Sequence, residues 1–277
     1  MRIVHRNRWG YGGVQMGRFA RPRRRSGCGR VERQGTAGSL KGRIQEGTET
    51  MADSDPPFNV LDEAAIAAAV LNRKPYDYSY VEQAVPPAQR EAVLADVPAI
   101  PYRGSYGLPD LRYGPKFGAV IEDLLSPRFR HLVEQKFDID LSHRFPVIVM
   151  MGNTTGNYNE GYAHPDSKHK IITVLVGFST EWPYERGKLR ILNSPDRDDY
   201  AFEFSPEIGR MLMFRVGDNS WHGFLPQKGE RKSLQLCWVD SEWYVRKEYW
   251  RHRASAFAKA NPILRKIIEW APRKLGA

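Results

Sequence analysis

The stretch Gly161-Tyr162-Ala163-His164-Pro165-Asp166-Ser167, followed by the apolar run Ile171-Ile172-Thr173-Val174-Leu175-Val176-Gly177-Phe178, sets the reading of the whole chain. Side chains of an extended backbone alternate between its two faces, so His164 and Asp166 point to the same side. An imidazole and a carboxylate placed this way can grip one metal ion. The questions that follow are where a third ligand lies and what fills the remaining coordination positions.

Around that stretch, residues 145–240 break into short β-type runs at 145–151, 170–179, 188–192, 200–204, 211–216 and 232–239. They are separated by turn residues such as Gly152-Asn153, Asn193-Ser194-Pro195-Asp196 and Gly217-Asp218. Strands this short and this evenly spaced predict an all-β sandwich or barrel, here a mainly β chain with a jelly-roll core. Tyr200, Phe202 and Phe204 share one face of their run and are expected in the core.

On either side the pattern turns helical. An Ala-rich run spans 64–71, Pro86-Pro87 opens a second helix, and residues 117–125 carry a third. Ser126-Pro127 is a cap followed by a first-turn proline, which predicts a further helix to about Phe137. Residues 100–115, rich in Gly, Pro and Tyr, read as an ordered loop, either a packed surface connection or a substrate lid. After Asp240, residues 241–260 form a helix carrying Trp243, Tyr244, Tyr249, Trp250 and Phe257, and Asn261-Pro262 caps a last one. Two readings stand for this C-terminal portion: aromatics packed on the barrel with a solvated basic face, or a membrane-surface helix. The expected organisation is a basic tail (1–50), a helical supporting part (51–144), the β core (145–240) and C-terminal helices (241–277).

The formal net charge of +10 would suggest a nucleic-acid partner, but its position argues otherwise. Residues 1–50 hold 12 Lys and Arg against 3 Asp and Glu, whereas the remainder holds 30 against 29. The basic excess therefore belongs to the tail. That tail has no helical or strand period and reads as disordered. It is expected to lie outside the native protein, with translation beginning at Met51, or else to serve as a basic arm. No apolar run reaches the length of a membrane span and no secretory core follows either methionine, so a soluble, cytoplasmic protein is expected. Of the two cysteines, Cys28 lies in the tail and Cys237 in an apolar strand, so Cys237 is expected to be a buried thiol outside any disulfide framework.

Of seven histidines, His143, His164, His169 and His222 fall in or beside the β region. His222 lies 58 residues after His164, enough chain for intervening strands to return it to the His-x-Asp pair. His164, Asp166 and His222 would then form a two-His, one-carboxylate face with open positions, the donor set of non-haem Fe(II) oxygenases. Arg231 follows nine residues later, with Ser233 on its face by the period of two. A guanidinium buried in a barrel needs an anion, and a dicarboxylate would supply one.

These residues resemble the 2-oxoglutarate and Fe(II)-dependent oxygenase superfamily, most nearly its prolyl 4-hydroxylase-like branch. The resemblance rests on His164-Pro165-Asp166, on Phe178-Ser179-Thr180-Glu181-Trp182 and on Gly187-Lys188-Leu189-Arg190-Ile191-Leu192. It rests also on Gly209-Arg210-Met211-Leu212-Met213-Phe214 leading to His222, and on residues 231–240. It implies a double-stranded β-helix with flanking helices, and Fe(II) on His164, Asp166 and His222. It further implies 2-oxoglutarate on Arg231 with Ser233 assisting, O2 as the oxidant, and ascorbate as a candidate reductant. Tyr162 is a candidate phenol contact for the cosubstrate. Hydroxylation of a small molecule, an amino-acid or peptide side chain or a sugar would follow, releasing succinate and CO2. Met150-Met151-Gly152-Asn153 departs from the Tyr and Pro-Gly that precede the metal motif in hypoxia-type prolyl hydroxylases. The departure leaves the iron site intact and the substrate unread. A non-enzymatic jelly-roll module holding zinc, or no metal, is the alternative. Oligomeric state is not legible at this level.

Overall fold

The first strand of the β core, β4 (Phe145–Gly152), and the strand behind the His-x-Asp motif, β6 (Lys170–Gly177), do not pair with each other. Both pair antiparallel with β12 (Ser233–Val239), which lies between them. In the computed structural model, residues 55–264 are described, apart from 101, 159 and 262. The basic tail at 1–50 and most of the expected last helix fall outside the described residues. β9 (Met211–Arg215) pairs with the far side of β6. Three strands precede this core in the chain: β1 (Leu71–Asn72), β2 (Tyr78–Val81) and β3 (Gly104–Gly107). They extend the sheet to seven strands in the order β1-β2-β9-β6-β12-β4-β3. A second sheet contains β7 (Leu189–Leu192), flanked by β8 (Tyr200–Phe204) and β10 (His222–Gly223). β5 (Thr154–Thr155) and β11 (Lys228–Gly229) form a short ribbon. All ladders between these strands are antiparallel, and the two sheets make the jelly-roll core.

The period of two divides the large sheet cleanly. Ile148, Met150, Ile172, Val174, Val176, Leu234, Leu236, Trp238, Met211 and Met213 are buried on one face. They pack on helices α1 (Glu63–Ala68), α2 (Pro87–Asp96), α3 (Pro115–Leu125) and α4 (Pro127–Phe137). The other face turns Leu175, Leu212, Phe214 and Tyr78 toward Leu189, Ile191 and Phe204 of the second sheet. Where that sheet does not reach, α5 (Glu242–Ala260) covers Val147, Cys237 and Val239 with Tyr244 and Val245.

Several expectations need correction. Residues 51–144 are not purely helical, because β1, β2 and β3 join the large sheet. Residues 104–107 are an edge strand on β4 rather than loop: Gly107 leaves room for the Tyr249 ring, which a Cβ there would meet at 3.0 Å. Of the aromatic face on β8 only Phe204 is buried; Tyr200 is exposed with the Arg190 guanidinium 4.2 Å from its ring centre. On α5, Tyr244 and Tyr249 turn to the sheet, but Trp243, Trp250 and Phe257 face outward. The Ser126 cap is present as expected, its Oγ accepting from Phe129 N–H at 3.1 Å.

The helical layer is tied to the chain entry by Asp123 on α3. Its buried carboxylate accepts N–H bonds from Asn59 (2.8 Å), Val60 (2.8 Å) and Leu61 (2.9 Å), and a further bond from the Asn59 side chain. Asp123→Ala would strand those backbone donors. We expect it to lower the unfolding free energy by about 3 kcal/mol in urea titration; a loss under about 1 kcal/mol would mean that water replaces the carboxylate.

Candidate metal centre

His164 and His222 meet through their backbones. His164 N–H donates to the His222 carbonyl at 3.0 Å and His222 N–H to the His164 carbonyl at 3.1 Å, an isolated antiparallel bridge. Gly161 permits this approach. It adopts φ +64°, and a Cβ there would lie 2.3 Å from the Phe224 carbonyl oxygen. The segment 161–164 thereby lies along β10 on the side away from β7, and the two imidazole rings sit 4.5 Å apart between centres. Asp166, two residues on, turns to the same side. Ligating atoms of His164, Asp166 and His222 all lie within 4.8 Å of one another. That is near the span of two metal–ligand bonds of about 2.1 Å.

Each donor is oriented by a partner. The Nδ1 of His164 is 2.9 Å from the Tyr162 carbonyl and that of His222 is 2.9 Å from the Ser220 carbonyl. Each Nδ1 therefore carries the proton and donates it, which leaves Nε2 with a free lone pair. Burial pushes His222 down to about 4, so it is a neutral donor at physiological pH. Burial by itself would raise the Asp166 carboxyl; the Lys170 ammonium, His222 and the Thr173 hydroxyl outweigh it and hold the group ionised far below the usual range. Lys170 Nζ donates to one carboxylate oxygen at 2.7 Å and Thr173 Oγ1 to the other at 2.8 Å. Each oxygen keeps a second acceptor position for a metal.

Lys170 and Thr173 were not singled out from sequence. Thr173 is the lone polar residue of the apolar run 171–176 within β6, a signal by which it could have been found. The other histidines are elsewhere: His169 pairs with Asp240 at 2.8 Å, and His143 is exposed. Cys237 is buried with its thiol pushed up to about 11 by burial, so it is an unreactive core residue.

A second feature faces the same interior. Past the formal start of β12 the ladder continues, with Asn153 N–H donating to the Arg231 carbonyl at 3.0 Å and Phe178 N–H to that of Lys232 at 2.9 Å. Arg231 and Ser233 thus share a face. Arg231 is 6 % exposed, and burial pushes it down to about 10, still a cation at neutral pH. Its Nε donates to the Gly187 carbonyl at 3.0 Å and its guanidinium lies 4.7 Å from the Phe224 ring centre. Among the described residues no carboxylate pairs with it. Ser233 is fully buried, and among the described residues its Oγ has no hydrogen-bond partner. Gly187, at φ +83°, would drive a Cβ to 2.5 Å from Trp182, so this turn and the carbonyl it aims at Arg231 require glycine. A buried cation without its anion and an orphaned hydroxyl on one face fit an anionic oxygen ligand. Tyr162 packs its half-exposed ring on His164, 4.9 Å between centres.

The donor set and the anion seat suit Fe(II) with a keto diacid. A family model described as the 2OG-Fe(II) oxygenase superfamily matches residues 151–240. No curated protein matches the chain. Among solved structures, a prolyl-4-hydroxylase from Pseudomonas putida is 16 % identical with a TM-score of 0.42, over 59 % of this chain and 92 % of that one. A prolyl 4-hydroxylase from Phytophthora capsici is 13 % identical with a TM-score of 0.41, over 60 % and 61 %. AviO1 from Streptomyces viridochromogenes is 10 % identical with a TM-score of 0.41, over 66 % and 96 %.

The lowered His222 carries a pH signature. Below its ordinary value of 6.5 the unfolded imidazole takes a proton that the folded one refuses until about 4, so stability falls with pH across that window. Metal-free protein is expected to lose about 3 kcal/mol between about pH 6.5 and about pH 4, and His222→Gln should flatten that slope. Asp166, held low, adds its own loss only at more acid pH. A wild-type profile flat through the window would refute the buried, neutral imidazole.

Proposed function

We propose that this chain, whose residues 151–240 belong to the 2OG-Fe(II) oxygenase superfamily, holds Fe(II) through His164 Nε2, His222 Nε2 and Asp166. It seats the distal carboxylate of 2-oxoglutarate on Arg231 and Ser233. The single observation that carries this reading is the convergence of three ligating atoms within 4.8 Å, with both imidazoles donating Nδ1–H to backbone carbonyls. When bound, the ion and the keto acid supply oxidative decarboxylation to succinate and CO2, with one oxygen atom of O2 entering a substrate C–H bond.

The chain's part is positioning and charge. Lys170 and Thr173 fix the carboxylate plane of Asp166 and balance its charge, so the ligand is held before metal arrives. Arg231 offers a guanidinium already desolvated and held by Gly187, so little order is lost when a carboxylate docks. Ser233 contributes the hydroxyl that otherwise has no partner. Tyr162 leans on His164 and screens that side of the site from solvent. The substrate class is set by the surrounding loops rather than by these residues. We place the protein in the cytoplasm, and ascorbate is a candidate reductant for maintaining Fe(II).

Adding Fe(II) and 2-oxoglutarate without oxygen should produce the weak visible charge-transfer band of the chelate, and admitting air should release succinate. Correctly folded protein that gives neither would overturn the reading, and His164→Ala should abolish both. Arg231→Ala should raise the half-saturating 2-oxoglutarate concentration by about tenfold or more while leaving metal affinity near the wild-type value. Ser233→Ala provides a sharper discrimination. Removing an orphaned buried hydroxyl should leave stability unchanged or slightly raised yet weaken 2-oxoglutarate binding. Destabilisation with unchanged binding would make Ser233 a packing residue.

A further inference from the structure

Helix α5 is apolar on two faces, and among the described residues only one is covered. Tyr244, Val245, Glu248 and His252 are buried against the sheet side. On the opposite side Trp243, Trp250 and Phe257 are 64 %, 74 % and 72 % exposed. They recur every seven residues, which places them on one helix face at intervals of roughly 10.5 Å. Among the described residues nothing covers them, and an aromatic row of this extent marks an interaction surface.

The charges around the row choose the occupant. Arg246, Lys247, Arg251 and Arg253 are exposed between the rings, and Lys247 Nζ lies 5.2 Å from the Trp243 ring centre. Arg246 bridges to the exposed Glu242, a surface pair that exchanges readily with other anions, while Arg251 is held by the buried Glu248 and Arg253 by the partly buried side chain of Asp110. Residues 241–277 hold 9 Lys and Arg against 3 Asp and Glu, so the local excess is basic. A second copy docked about a two-fold axis at Trp250 would bring Lys247 against Arg253 and repel. No helix among the described residues is long and apolar enough to cross a membrane, so contact with a bilayer would be at its surface. Protruding Trp and Phe rings interleaved with Lys and Arg suit the headgroup boundary of an anionic bilayer, where rings insert and cations meet phosphates.

We propose that the outer face of α5 docks on an anionic phospholipid surface, with Trp243, Trp250 and Phe257 inserted and Arg246 and Lys247 on the headgroups. The same helix covers the inner sheet face beside the candidate metal centre: Tyr244 packs its ring on that of His169, 4.9 Å between centres, three residues beyond Asp166. Docking through α5 would therefore hold that centre close to the bilayer. This inference is independent of the oxygenase reading.

The test is co-sedimentation of the full chain with vesicles of phosphatidylcholine alone or mixed equally with phosphatidylglycerol. Wild type should sediment with the mixed vesicles only, and less so as salt rises. The Trp243→Ser, Trp250→Ser, Phe257→Ser triple variant keeps every basic residue of the N-terminal segment and should lose at least about tenfold in affinity. Arg246→Glu with Lys247→Glu should lose binding to the mixed vesicles without touching the rings. Circular dichroism checks that both variants fold. Equal binding by the triple variant would overturn the proposal. So would wild-type protein that stays in solution, self-association that the ring substitutions abolish, or single-stranded oligonucleotide binding through the same rings in place of vesicle binding.

Discussion

Two backbone hydrogen bonds, between His164 and His222, hold the candidate centre together. Because the residues pair backbone to backbone, their imidazoles are neighbours by construction and do not depend on long side chains converging. Everything nearby serves that bridge. Gly161 lets the segment pass Phe224, Phe214 of the large sheet packs its ring 4.9 Å from that of His222, and Tyr76 donates its hydroxyl to the Trp221 carbonyl at 2.8 Å. Asp166 is then carried to the same side by the alternation of extended chain and tied to the large sheet through Thr173. The three donors thus span both sheets, and the barrel's closure and the site's geometry are the same fact.

The interior also contains a charge out of balance. A desolvated guanidinium costs stability unless something anionic offsets it, yet Arg231 meets the Gly187 carbonyl and the Phe224 ring and, among the described residues, no carboxylate. Arg190 shows the contrast: it is nearly as buried but is satisfied by Glu203 at 2.7 Å and Asp198 at 2.9 Å. Among the described residues the protein therefore completes one arginine with carboxylates and leaves the other without one. That contrast is what motivates the proposed anion seat.

Much of this was legible in the sequence because the physics is local. The shared side of His164 and Asp166 follows from period two, the start of α4 from Ser126 and Pro127, and the six main strands from apolar runs between turn residues. What was hidden depends on partners distant in sequence. β3 is two glycines around Ser105 and Tyr106, without strand propensity, and exists because β4 offers an open edge and Tyr249 needs the room. β1 and β2 are strands because β9 needs a neighbour. The clamp of Lys170 on Asp166 was invisible because a lysine at the head of a strand ordinarily reads as a solvated end. The aromatics of α5 divide, with Tyr244 and Tyr249 packed inward and Trp243, Trp250 and Phe257 outward, a division that composition alone does not give.

The position of β12 affects how the protein is made on the ribosome. The large sheet consists of two halves, β3-β4 and β1-β2-β9-β6, and only β12 joins them. Because β12 is the last strand to be synthesised, the nascent chain carries two unpaired strand edges until residues 233–239 emerge. Those edges, flanked by valine and isoleucine, are the surfaces on which unfinished chains stick to one another. Helices α1 to α4 emerge before β6 and can cover the apolar face of the first half, but they cannot supply its missing hydrogen bonds. Slowing synthesis before residue 233, or truncating the chain within β12, therefore exposes the two halves for longer and makes yield depend on chaperone supply more than on the stability of the finished fold.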